Sequence, residues 1–228
     1  MEIKKKIYII ALCITLFLFT TVLFIGYVLD RLREDKINSM SVEVYNDINE
    51  MQTFMLMSEI YGNKMTCLAF KNRLKKIDKS TWDLGIKIDR YRVASEEFQK
   101  DPFYLEQKKA FNENEVYYLL LLSKIKKDCN YKQSIVLFFY KNSEECGKCD
   151  DQSFVLTDIK NSAKEEVSIF SFDADLNLTN IELLTNYYNI TQYPCTVVDD
   201  KKYCGMQDKS FIVEQICKDN NITICQQQ

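Results

Sequence analysis

The sequence contains no histidine and only two prolines. Without an imidazole, Ser-His-Asp hydrolysis, Cys-His proteolysis and histidine-ligated metal chemistry are excluded. With prolines so sparse, each marks a position where the backbone has a special requirement. The chain also lacks a basic stripe. Its 30 basic and 33 acidic residues leave a formal charge of −3, too mild to argue for nucleic acid as a partner. What it does have is cysteine, nine in 228 residues. At 46% apolar and 28% charged it has the proportions of a folded chain, and its length suits one or two domains. The chemistry of the thiols is the question the composition poses.

Residues Ile7 to Leu29 carry no charge. A helix of that length crosses a bilayer with some tilt. The run is longer than the apolar core of a cleaved signal, and Gly26-Tyr27-Val28 makes a poor cleavage site, so a retained signal anchor is expected. Lys4, Lys5 and Lys6 precede the span, which favours a cytoplasmic N-terminus, although Arg31 and Arg33 after it weaken the bias. The remainder then lies outside the cytoplasm, where disulfides persist. N-x-S/T sequons at Asn177, Asn189 and Asn221 fit export but also arise by chance.

The expected organisation is a cytoplasmic tail (1–6), a transmembrane anchor (7–29), a helical region (30–130) and an α/β domain (131–228). Apolar residues recur at helical spacing at Ile37, Met40, Val44, Ile48, Met51 and Met55, and again at Val116, Leu119 and Leu120. Two or three long helices packed antiparallel are expected, the first continuing out of the membrane as a stalk. Met51, Met55, Met57 and Met65 read as core packing before they read as a partner site. Ser80 with Asp83 predicts a capped helix start ahead of Trp82, Ile86 and Ile88. Asp101-Pro102 predicts another, with proline at the first helical position.

From residue 134 the pattern changes. Ser134 to Tyr140 and Val167 to Asp173 are β-branched and aromatic runs that read as strands. Cys195 to Asp199 predicts a third strand and Lys202 to Cys204 a fourth, ended by Gly205. Helices are predicted from Cys149 to Lys160, from a Thr179–Glu182 capping box to near Tyr188, and around Phe211, Ile212 and Ile216. The order is β-α-β-α-β-β-α.

Cys146-Gly147-Lys148-Cys149 falls between the first strand and its helix. A cysteine at a helix N-terminus meets unpaired N–H groups and the positive dipole end, which stabilise a thiolate. A second cysteine three residues on is near enough to resolve a mixed disulfide. Lys148 favours the thiolate, whereas Glu144 and Glu145 oppose it, which leaves the sign of the net shift open.

With a buried strand before it, a helix after it and Tyr193-Pro194 ahead of a later strand, the pair resembles the active site of the thioredoxin-like superfamily in its minimal form. The resemblance covers about residues 131–220. It implies an α/β thioredoxin-like domain, catalytic roles for Cys146 and Cys149, a cis Pro194 facing the pair, and a Tyr193 backbone that positions substrate. Gly205 matches the family's glycine after the strand hairpin. The anchor and helical region are similar to membrane-anchored thioredoxin-like proteins of archaea with small genomes. The chain departs from the family in two places. Leu137-Phe138-Phe139-Tyr140 carries no acid where many thioredoxins have one. The loop Lys141 to Glu145 is longer and lacks the usual aromatic before the first cysteine.

Cys13 lies within the span and reads as apolar filler. Eight cysteines remain, and eight allow 105 pairings. Cys67 and Cys129, at ends of predicted helices, form one candidate staple. Cys217 and Cys225, near the C-terminus, form another. Cys195 and Cys204 flank a tight turn between strands, either as a staple or as a second redox couple. Four-thiolate zinc binding by Cys146, Cys149, Cys195 and Cys204 fits poorly, because Cys-x8-Cys is not a zinc knuckle. No metal or cofactor is expected. The function expected is that of a membrane-anchored, extracytoplasmic thiol–disulfide oxidoreductase. Its partners would be cysteine-containing exported proteins or a membrane redox protein, together with the lipid bilayer. The alternative is a helical interaction or scaffold protein with a non-catalytic thioredoxin-like module.

Overall fold

The computed structural model describes residues 2–93, 100–142, 145–219 and 222–226. Glu144 and Asn221, and the side chains of Lys4, Lys5 and Met65, lie outside the described residues. The chain divides into two units, Met1–Met40 and Ser41–Gln228.

The first unit is helical and belongs to α1 (Glu2–Tyr61). Its apolar side chains from Ile7 to Leu29 stand exposed, and the helix is long and apolar enough to cross a membrane. The threonines within the run satisfy their hydroxyls internally. Thr15 Oγ1 donates to Ala11 O at 3.1 Å and Thr21 Oγ1 to Phe17 O at 2.8 Å. A hydroxyl satisfied in this way avoids much of the cost of apolar surroundings.

In the second unit, α1 buries Val44, Ile48 and Met51 on one face. Met57 is exposed. The ion pairs Arg73–Glu50 at 2.7 Å and Lys76–Asp47 at 2.9 Å tie α1 to α2 (Asn63–Val93). Ser80 and Asp83 do not begin a helix, because both fall inside α2. The Ser80 hydroxyl bonds back to Lys76 O at 2.9 Å, a local alternative to capping open to a serine within a helix. Asp101 does cap α3 (Pro102–Cys129): its carboxylate accepts the Phe103 N–H at 3.0 Å, and Pro102 sits where no N–H is needed.

The sheet has four strands, β1 (Ser134–Tyr140), β2 (Val167–Asp173), β3 (Cys195–Val198) and β4 (Lys201–Cys204), in the order β2-β1-β3-β4. β1 and β2 are parallel, and the other two pairings are antiparallel. α4 (Cys149–Ala163) makes the crossover between the parallel strands. α5 (Thr179–Tyr187) and α6 (Lys209–Asp219) follow β2 and β4. Thr179 is the first helical residue of α5 and not its cap. Leu178 holds the cap position and makes no side-chain hydrogen bond there.

Side chains alternate across the sheet, so register sorts the core into two layers. Val136, Phe138 and Ile169 meet Leu156 and Ile159 of α4 and Ile212, Val213 and Ile216 of α6. On the other side, Phe139 packs on Phe172 with ring centroids 5.4 Å apart, and Phe170 on Tyr118 of α3 at 5.3 Å. Rings buried like these each contribute about 2 kcal/mol by removal from water.

β2 is an edge strand, and an exposed edge invites unwanted pairing. Side chains of α3 occupy this one. Glu115 accepts the Ser171 N–H at 3.1 Å, and Asn112 accepts the Asp173 N–H at 3.0 Å. Asp173 also pairs with Lys108 of α3. Lower on the same side, Asp78 of α2 accepts from Lys160 of α4 and from the Ser168 hydroxyl. Asp78 and Lys160 are each 6% exposed. The helical layer and the α/β domain are therefore joined by buried polar bonds as well as by apolar packing.

Candidate functional site: the Cys146–Cys149 pair

β1 ends at Tyr140 and α4 begins at Cys149, so the connecting segment delivers Cys146 and Cys149 to a helix N-terminus. Cys146 donates its N–H to Asn142 O at 2.9 Å, and Cys149 donates its own to Cys146 O at 3.2 Å. Lys148 holds the cap position with φ −119° and provides no side-chain cap. The positive end of α4 beside the two cysteines thus receives no side-chain cap from Lys148. The cysteines are joined as a disulfide with Cα atoms 5.5 Å apart. Both cysteines are buried, Cys146 at 5% exposure and Cys149 at 3%.

Charges of both signs surround the pair. Three described carboxylates flank it, at Glu145, Asp150 and Asp151. Glu145 pairs with Lys141. Asp151 accepts from Lys148 at 2.8 Å, which raises the exposed ammonium above its ordinary pKa. Asp150 lies 3.8 Å from the Arg92 guanidinium at the end of α2. Lys141 and Arg92 are shared, Lys141 with Asp175 at 3.6 Å and Arg92 with the nearer Asp89 at 2.9 Å, so the acids beside the pair are only partly offset against the field of the helix end. The Lys148 ammonium is exposed and pairs with Asp151.

Pro194 follows a cis peptide bond after Tyr193. Its carbonyl accepts the Gly205 N–H at 2.8 Å, and Gly205 adopts the φ of +84° that glycine tolerates best. The Tyr193 ring packs against the same core cluster that contains Cys146 and Cys149. The Lys141 ammonium stands 5.7 Å over that ring. Burial raises the Tyr193 phenol above its usual pKa. Cys146 and Cys149 thus lie in the core cluster against which Tyr193 packs, with Pro194 next in the chain. Lys141 and Arg92 were not identified from the sequence. Arg92 reaches the site from another helix, and no local spacing marks it.

The other cysteines lie elsewhere. Cys67 and Cys129 are bonded between the start of α2 and the end of α3, and Cys217 and Cys225 between α6 and the turn Thr223–Gln226. Cys195 and Cys204 are bonded across β3 and β4. They register with Phe139 and so occupy the sheet face opposite the one that packs against the Cys146–Cys149 pair. These four cysteines do not converge on a common point. Cys13 is free and exposed on α1.

No family model matches the chain, and no curated protein does. Solved structures do. One, described as the structure of a malarial protein, is 18% identical over 38% of this chain and 96% of its own, with a TM-score of 0.33. Another is thioredoxin-2, described as a component of the malaria parasite protein secretion machinery. It is 18% identical over 38% of this chain and 82% of its own, also with a TM-score of 0.33. In chain order, a long apolar N-terminal helix and a helical layer precede a mixed four-stranded sheet with a CxxC disulfide at Cys146–Cys149.

Proposed function

We propose that this protein is a membrane-anchored, extracytoplasmic thiol–disulfide oxidoreductase. The observation that carries the proposal is the Cys146–Cys149 disulfide at the N-terminus of α4, where Lys148 provides no side-chain cap. In the oxidising direction, a substrate thiolate attacks Cys146 Sγ. The S–S bond breaks and Cys149 departs as a thiolate held by the helix end. A second substrate thiolate attacks the substrate sulfur of the mixed disulfide, releasing oxidised substrate and leaving both cysteines reduced. In the reducing direction, Cys146 attacks and Cys149 resolves. Tyr193 and Pro194 position the substrate strand, and Lys148 acts by neutralising Asp151. Four disulfides support an oxidising compartment, and the exposed apolar helix supports an anchor. The partners are cysteine-containing exported proteins or a membrane redox protein.

The near-complete burial of both cysteines favours a second reading, a scaffold with a permanent disulfide. Two variants separate the readings. The oxidoreductase requires Cys146→Ser to abolish insulin-disulfide exchange and Cys149→Ser to accumulate mixed disulfides with membrane or exported proteins. A Cys146→Ser variant that exchanges at the wild-type rate would overturn the proposal.

A further inference from the structure

We propose that Cys195–Cys204 is a second thiol-exchange site, open to external dithiols and independent of the Cys146–Cys149 pair.

Its position in the sheet separates it from the other disulfides. Cys195 and Cys204 are directly opposite each other in the antiparallel β3–β4 ladder. The next rung, Gly205 N–H to Pro194 O, is hydrogen-bonded, so the cysteines occupy a non-hydrogen-bonded pair. Such pairs bring Cα atoms to about 4.5 Å, the short end of the range that disulfides favour. Here the separation is 3.9 Å, against 5.5, 5.5 and 5.6 Å in the other three.

The hairpin is also held at its turn. Asp199 and Asp200 make its turn with φ of 40° and 69°. The Asp199 carboxylate is pinned by the Ser134 hydroxyl at 2.6 Å, the Ile135 N–H at 3.1 Å and the Lys126 ammonium at 3.1 Å. A bond between residues only 9 apart removes less freedom from the unfolded chain than one that spans 62. Cys67–Cys129, which spans 62 residues, has the position of a staple.

Access is one-sided. β4 is the outermost strand, and Cys204 is partly exposed, whereas Cys195 is fully buried. An incoming thiolate meets Cys204 Sγ, forms a mixed disulfide there and expels Cys195 as a thiolate, which takes up a proton. A second thiol of the same donor attacks its own sulfur in that mixed disulfide and frees Cys204. The donor leaves as a disulfide, and two electrons remain as two cysteine thiols. The class of co-reactant is therefore a dithiol. The Cys146–Cys149 pair cannot serve, because it packs on the other face of the sheet.

The test uses the full chain in detergent micelles, as wild type and as Cys146→Ser/Cys149→Ser. Both are equilibrated in mixtures of reduced and oxidised dithiothreitol, acid-quenched, alkylated and mapped by mass spectrometry. Cys195 and Cys204 are expected to become alkylated in both proteins at a reduced-to-oxidised ratio at least about tenfold below that needed for Cys67 and Cys129. Alkylation together with or after Cys67 and Cys129 would overturn the proposal. So would reduction in the wild type alone, because it would route the electrons through the Cys146–Cys149 pair. A Cys195→Ala/Cys204→Ala variant is expected to keep the wild-type circular dichroism. Its failure to fold would make the bond structural and end the proposal.

Discussion

Glu115 of α3 accepts the backbone N–H of Ser171 on the free edge of β2 at 3.1 Å. Its other oxygen, Oε2, has no partner among the described residues. Burial holds this carboxyl well above the usual range, and the single Ser171 bond offsets only part of the effect. The folded protein thus keeps the proton to higher pH than the unfolded chain does. The stability this group contributes is fully present below the unfolded carboxyl pKa, about 4.3, and is lost as pH rises through the raised folded value. Glu115→Gln keeps the acceptor and removes the titration. Its advantage over wild type in urea midpoints is expected to be near zero at about pH 4 and to grow towards neutrality. An advantage that does not vary with pH would contradict this. Glu115→Ala, which strands the Ser171 N–H, is expected to cost about 1–3 kcal/mol.

The Asp78–Lys160 pair gives a second prediction. Asp78→Ala leaves a buried ammonium without its counter-charge and is expected to cost about 3–5 kcal/mol. Replacing both residues, with Asp78→Leu and Lys160→Met, should recover part of that cost. Lys160 also donates to Val167 O at 2.8 Å, so recovery will be incomplete. A double-mutant cycle by chemical denaturation checks it, and strictly additive costs would show that the two residues do not act as a pair.

Removing Cys67–Cys129 as a double alanine variant is expected to destabilise the protein by about 4 kcal/mol in the chain-entropy view, because the bond closes a long loop. Removing Cys217–Cys225, 8 residues apart, should cost less. Thermal unfolding of the two variants side by side gives the ranking, and the reverse order would refute it.

Lys148 is exposed and paired with an exposed Asp151. Pairs of this kind are screened by solvent, so Lys148→Ala should change the thiol-exchange rate by no more than about threefold. A loss of two orders of magnitude would assign Lys148 a direct role at the sulfurs.

Much of the architecture is legible in the amino-acid sequence, for reasons specific to each element. β1 is buried on both faces, so Ile135 to Tyr140 form an unbroken apolar run, and β2 reads as a strand from its β-branched and aromatic residues although Ser168 and Ser171 interrupt it. Asp101-Pro102 is local chemistry and needs no tertiary partner. Ser80 and Thr179 misled because the capping signature omits context. Ser80 lies deep in a helix of 31 residues, and Thr179 stands one residue past its cap. The cysteine pair is legible from its spacing. The cations beside it are not, because Arg92 and Asp150 meet only through tertiary packing. The same holds for Glu115 and Ser171, 56 residues apart, where a strand edge is completed by side chains that look like ordinary polar positions on a helix.

The measurement closest to the central claim is a redox equilibrium of Cys146 and Cys149 against glutathione, read by acid quench and peptide mapping in the full chain. The pair is expected to pass from disulfide to dithiol within the range that glutathione mixtures reach, with Cys149→Ser leaving a glutathionylated Cys146. Each 30 mV in the result corresponds to about 1.4 kcal/mol between the two forms and so gives the direction of electron flow. A pair that stays oxidised across the whole range, with no adduct on Cys146, would contradict the account and leave the domain as a scaffold.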